Sequence, residues 1–250
     1  MLSHNILNIC AALWFFFCWI GYTSFARRKA KTTYCLSSVL HVYRKQWMEI
    51  MLRRENRMTD TALIASLERN ATFLASTSMF VIAGLVTMTA SIDQVHETFS
   101  TLPFSNELMT PFQLQLKIIL LLGMFVYAFF TLTWAMRQYG FSAILLGAAP
   151  QHDDALITEA ERSLYAASTA KVIDNAGHSY NYGLRAFYFS LSILPWFFNT
   201  WIFILAATLV VVILYSREFN SRTLRSLVKD LETNRRSFPA TSTPAKTLDR

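Results

Sequence analysis

The chain has 250 residues, 53% of them hydrophobic and only 16% charged, with a formal net charge of +7. That is too apolar for an ordinary soluble domain and for a disordered chain. The apolar residues fall in blocks of roughly membrane length with 23 Lys and Arg between them, which excludes a secreted mini-protein and a nucleic-acid module with a separate core.

The first block, residues 6–25, has no acidic or basic side chain. Twenty residues at ~1.5 Å each suffice to cross a ~30 Å hydrocarbon layer, so it reads as a transmembrane helix. A cleavable signal sequence, with Ser24 and Ala26 as its small residues, is the competing reading. Against it, no Lys or Arg precedes the block, while Arg27, Arg28, Lys29 and Lys31 follow at once. Positive charge resists translocation, which puts this end in the cytoplasm and the N-terminus outside.

Leu36, Leu40, Tyr43, Trp47 and Ile50 then recur at spacings of four and three, the stripe of an amphipathic helix, with His41, Arg44, Lys45 and Glu49 on its other face. Such a helix lies in the headgroup layer or packs over the inner ends of the spans. A second span is expected near 72–92. No Gly or Pro interrupts 60–83, and Asp60 is a candidate N-cap, so this helix is expected to begin inside the cytoplasm. Ala83, Thr87 and Ser91 give it a small-residue face that allows close helix approach.

A third span is expected near 114–136, running on towards Leu146. Lys117, in its first turns, is expected to extend its ammonium to the headgroups. If the second and third spans are antiparallel, residues at one height have numbers summing to about 206 by helical rise. Glu68 then lies level with Arg137, and an ion pair is expected there. After GAAP at 147–150 the chain turns polar, and Thr158 with Glu161 has the spacing of a capping box for a helix reaching about Val172.

The last apolar block, 186–215, is long for one crossing and contains LPWFFNTW at 194–201. Pro195 lacks an N–H, Asn199 suits a turn, and Trp196 and Trp201 suit an interface, so the block reads as a hairpin with arms at 183–198 and 200–216. Charge supports this. Segment 26–71 has ten basic and four acidic residues, 93–113 has three acidic and no basic ones, and the chain after Tyr215 has eight basic and four acidic. Five spans, with N-terminus outside and C-terminus inside, put both basic segments in the cytoplasm; four spans are the alternative. The last span is expected to continue as a basic amphipathic helix over 217–232, and 234–250 reads as a disordered tail. The fold class is thus all-α, a polytopic bundle forming one membrane domain over 1–233.

Familiar chemistry is missing. No phosphate loop, dinucleotide fingerprint, nucleophile elbow or HExxH pair occurs. Neither a metal nor any other cofactor is expected, because His and Cys lack ligand spacing and Cys10, Cys18 and Cys35 suggest no disulfide framework. His41 and His178 flank the inner face, where they could meet, but two solvated or capped histidines are the favoured reading. The spans hold no Asp or Glu, which argues against a proton-coupled carrier. Polar residues instead gather at the inner helix ends: Glu55, Arg57, Asp60, Glu68, Arg69, Asn181, Glu218 and Arg222 as a structural cluster, with Arg137, Arg185 and Arg217 as candidates for an anion or lipid headgroup. The expected partners are membrane lipids with anionic headgroups, with a protein partner or second copy also open, and no nucleic acid. A binding or interaction protein is the leading reading. A small-solute transporter or channel is the rival, and a membrane enzyme acting on lipid or phosphorylated substrate ranks last.

Six stretches resemble the membrane proteins grouped as domain of unknown function 599: LWFFFCWIGY (13–22), WMEIMLRRENRMTDTAL (47–63), NATFLAST (70–77), FVYAFFTLTWAMRQYGFSAILLGAAP (125–150), NYGLRAFYF (181–189) and LYSREFNSRTLRSL (214–227). The resemblance implies an integral protein of a bacterial inner membrane. It supplies no activity, substrate or catalytic residue.

Overall fold

The computed structural model describes residues 2–101 and 110–234, and the expected tail lies outside them apart from its first residue. Helices account for nearly all of that chain: α1 (Leu2–Thr32), α2 (Leu36–Leu52), α3 (Met58–Ala90), α4 (Ile92–Ser100), α5 (Pro111–Gly147), α6 (Glu159–Ile193), α7 (Thr200–Phe219) and α8 (Arg222–Asn234), with a 3-10 turn at Leu194–Phe197 and no strand among the described residues. Four stretches are long and apolar enough to cross a membrane: Ile6–Ala30, Met58–Ala90, Pro111–Gly147 and Thr200–Leu231. Large apolar side chains point outward from them, with Phe73 71%, Phe80 79% and Phe130 66% exposed, as a lipid-facing surface requires.

Contacts between helices fix their directions. Arg57 at the start of α3 reaches the carbonyls of Ala149 and Pro150 beyond the end of α5, so α3 and α5 are antiparallel in the register expected from helical rise. Tyr165 donates to the Leu145 carbonyl, Gln138 to Ser179, and Lys117 to the Trp196 carbonyl, so α6 runs back along α5 from the C-terminal to the N-terminal end of α5. Trp14 donates to Thr208 near one end of α1 and α7, and Tyr22 to Glu218 towards the other, so those two helices are parallel.

Two cores are stacked along this bundle. One joins α1, α5, α6 and α7 through Phe15, Ile118, Phe125, Phe189 and Phe203. The other joins α2 to the first halves of α3 and α6 and the last part of α5 through Met48, Met51, Ile64, Ala135, Tyr139, Ala166 and Ile173. At 33, 37 and 35 residues, α3, α5 and α6 are roughly 50 Å long, so they outrun a ~30 Å hydrocarbon layer, and the second core occupies the excess.

Several local expectations need correction. Helix α6 does not stop near Val172; it starts with the Thr158–Glu161 capping box and continues through Gly177 and Gly183 to Ile193. The glycines are tolerated because other groups approach closely there: a Cβ on Gly183 would lie 2.5 Å from Leu132 Cγ. Helices α7 and α8 are not continuous, for the chain breaks at Asn220 and Ser221, whose hydroxyl accepts from the Leu224 N–H. The break lets α8 fold onto α2, burying Leu224 and Val228 against Val39. Asp60 is not an N-cap; Arg57 holds that position and Asp60 lies in the first turn of α3. The face carrying Ala83 and Thr87 is exposed rather than packed on a neighbouring helix.

The hairpin bend falls at the expected place. Pro195 lies in the 3-10 turn, and the Asn199 side chain accepts from the N–H groups of Trp201 and Ile202 to cap α7. Lys117 is buried rather than extended to headgroups. Its ammonium donates to the Trp196 carbonyl at 2.7 Å, because a helix end leaves carbonyls unsatisfied. Asn8 completes this end by accepting from Trp196 Nε1 and the Thr200 hydroxyl, both at 3.0 Å.

Candidate functional site

Polar side chains of these helices form two separate centres. The first lies between α2 and α6. Asp174 is almost wholly buried, and one carboxylate oxygen accepts from Arg44 at 2.7 Å while the other faces His41 Nδ1 at 3.1 Å and His178 Nε2 at 3.4 Å. A carboxylate this buried needs compensating donors. Burial by itself would raise the Asp174 carboxyl, but the hydrogen bond from His178 and the charges of His178, His41 and Arg44 outweigh it and hold the group at about 2. Gly177 makes room for the guanidinium, since a Cβ there would lie 2.7 Å from Arg44 Nη2.

Both histidines are thus half exposed and capped by one carboxylate, that of Asp174, which the sequence patterning did not single out. The one signal was the i,i+4 spacing of Asp174 and His178 on one helix. The polar face of α2 turns His41 and Arg44 towards α6, while Tyr43 on the apolar stripe packs with α8 and donates to Asp230 at 2.5 Å. Burial and that carboxylate push the Tyr43 phenol up to about 12. Nearby, Asp60 Oδ1 accepts from Trp47 Nε1 and Arg54 Nη1, each at 2.6 Å, whereas Asp60 Oδ2 and the Thr169 hydroxyl are buried without a hydrogen-bond partner.

The second centre ties α1, α6 and α7 together. Arg185 donates to both carboxylate oxygens of Glu218, at 2.6 and 2.8 Å, and its guanidinium lies over the rings of Tyr22 and Tyr182. Tyr22 donates to the same carboxylate at 2.9 Å. Both members of this pair are largely buried, at 14% and 15% side-chain exposure, so the oxyanion that Arg185 holds is an internal one. Arg217 instead projects to Tyr188, and Arg137 lies over Phe141 on its own helix. The three candidate guanidiniums thus have three separate partners.

The remaining members of the expected cluster are dispersed. Arg57 caps the end of α5, Glu55, Arg69 and Arg222 are exposed, and Glu68 and Asn181 are half-buried. Glu68 forms no ion pair with Arg137, although the register that suggested the pair is present. Among the described residues no group of His, Cys, Asp and Glu is arranged to hold a metal ion.

The profile of a family described as "Protein of unknown function, DUF599" matches residues 10–223. No curated protein and no solved structure matches the chain.

Proposed function

We propose that this chain, which belongs to the DUF599 family of proteins of unknown function, is a multi-pass bacterial inner-membrane protein that acts by binding anionic headgroups at its cytoplasmic face rather than by catalysis. In this reading the bundle crosses the membrane five times, through α1, α3, α5, the second half of α6, and α7. The N-terminus is outside, and α2, α8 and the second core are inside.

Charge supports that orientation. The strongly basic segment 26–71 and the basic helix α8 share one side, where Val39 packs on Leu224 and Val228, while 93–113 has acidic residues only. Helix direction supports it too, because α1, α5 and α7 run one way and α3 and α6 the other.

One observation carries the binding reading. Arg27, Arg28, Arg137 and Arg217 are exposed near the inner ends of the spans, and none of them is in an ion pair among the described residues, whereas the more buried Arg185 and Arg44 are neutralised by Glu218 and Asp174. An excess of cations at this level attracts acidic lipid at about 1 kcal/mol each.

The test is extraction of the full chain with a surrounding belt of native lipid, followed by mass spectrometry of lipid retained after detergent exchange. Retained lipid richer in acidic phospholipid than the bulk membrane is expected. A bulk-like composition, or saturable solute flux through the protein in sealed vesicles, would overturn the reading.

A further inference from the structure

We infer that the second core holds a site for one buried water molecule, bound between the Asp60 carboxylate of α3 and the Thr169 hydroxyl of α6. The site lies in the interior and not on the surface, so it stands apart from the headgroup reading. Two atoms with incomplete hydrogen bonding define it. Asp60 Oδ2 and Thr169 Oγ are buried without a hydrogen-bond partner among the described residues, and their residues are 0% and 1% exposed. Buried polar atoms are as a rule bonded to protein or to ordered water.

The helices bring both atoms to one layer. Arg57 reaches the carbonyls of Ala149 and Pro150, and Tyr165 donates to that of Leu145, so the start of α3 and this part of α6 both lie beside the end of α5. Each runs antiparallel to α5, which makes α3 and α6 parallel to one another. Burial pushes the Tyr165 phenol up and the Arg57 charge pulls it down, so a cation of α3 is felt on α6 at this height. Asp60 is three residues beyond Arg57 and Thr169 four beyond Tyr165, about one turn in each case, which keeps the two level.

Both side chains also point into the same core. Thr169 shares a helical stripe with Ala166 and Ile173, and Asp60 is one turn before Ile64; those three apolar residues all belong to the second core. Helix α2 closes the layer. Its Arg44–Asp174 and Arg53–Glu159 pairs carry it antiparallel to α6 past Thr169, and Trp47, between those two arginines, donates to Asp60.

Charge and geometry select water. Trp47 and Arg54 both donate to Asp60 Oδ1, each at 2.6 Å, so the carboxylate already has a cationic partner and its other oxygen calls for a neutral donor. The same two bonds fix the carboxylate plane, and β-branched Thr169 has few χ1 settings with which to move its hydroxyl. One water satisfies both atoms, accepting the Thr169 proton and donating one of its own to Asp60 Oδ2. Neither residue is open to the surface, so a lipid headgroup does not reach them. The bound water links α3 to α6 through the interior, beside the direct bonds each makes with the end of α5.

The test is a structure of the full chain in lipid nanodiscs at a resolution that shows ordered water, together with the thermal midpoint of Thr169→Val in detergent. One density peak within hydrogen-bond distance of both Asp60 Oδ2 and Thr169 Oγ is expected. Valine matches threonine in shape but has no hydroxyl, so it strands the water, and a midpoint lower by roughly 2–4 °C is expected. If no water is bound, the substitution removes an unsatisfied buried oxygen and raises the midpoint, so the sign separates the two cases. No peak, a peak touching only one of the two atoms, or density too large for water would overturn the site. An unchanged or higher midpoint in Thr169→Val would do the same. If that variant does not fold, the wild-type density decides.

Discussion

Asp174 ties α6 to α2 through Arg44 and His41. Its carboxyl is held at about 2, below the ordinary 3.8, so the unfolded chain takes up the proton first on acidification. The contribution is therefore complete above about pH 4 and is lost as the pH falls through about 2. A shift of this size corresponds to about 2 kcal/mol. Asp174→Asn keeps the shape but leaves Arg44 beside a neutral amide, and it is expected to cost about 3 kcal/mol at pH 7, read as a lower thermal midpoint in detergent. Wild type should approach the variant between pH 4 and 2, and identical acid sensitivity in the two would contradict this role. This residue was hidden in the sequence for a physical reason. Helical periodicity separates a polar face from an apolar one, but it does not say which neighbour each face meets. On α2 the polar face meets a buried carboxylate, and part of the apolar stripe meets α8.

Helix existence was more legible than helix ends. The first span, the long α3, the continuation of α5 past Gly140, the Thr158–Glu161 capping box and the Asn199 turn all follow from local chemistry that acts within a few residues. The continuity of α6 did not, because Gly177 and Gly183 read as weak helix formers when their neighbours are unknown. In the fold, α6 approaches α5 closely at Gly183. A Cβ there meets Leu132 Cγ at 2.5 Å and Cδ2 at 2.8 Å, while one on Gly84 or Gly123 meets nothing within 4 Å. Gly183→Ala should therefore destabilise the bundle by about 1–3 kcal/mol, whereas Gly84→Ala should be neutral or slightly stabilising. Equal midpoints for these two variants would show that the α5–α6 contact is looser than described. The break between α7 and α8 was likewise not readable, since the amphipathic period runs through it, and the reason for the bend is the Val39 surface on a distant helix.

At the scale of the whole molecule, the bundle is a membrane core capped by a second core, with the arginines that lack carboxylate partners among the described residues near the level between them. Composition and charge distribution anticipated the all-α bundle and placed Arg137, Arg185 and Arg217 near that level. They did not reveal that Arg185 is consumed by Glu218 while Arg27 shares the exposed position of Arg217, because pairing depends on which helices adjoin. The account rests on five alternating passes, and the most direct measurement is labelling of single cysteines with a membrane-impermeant maleimide. In a background lacking Cys10, Cys18 and Cys35, Glu97→Cys and Phe198→Cys should react from outside intact cells, and His152→Cys and Lys229→Cys only after the membrane is opened. Labelling of position 229 from outside with position 152 still protected would mean four passes and would contradict the account.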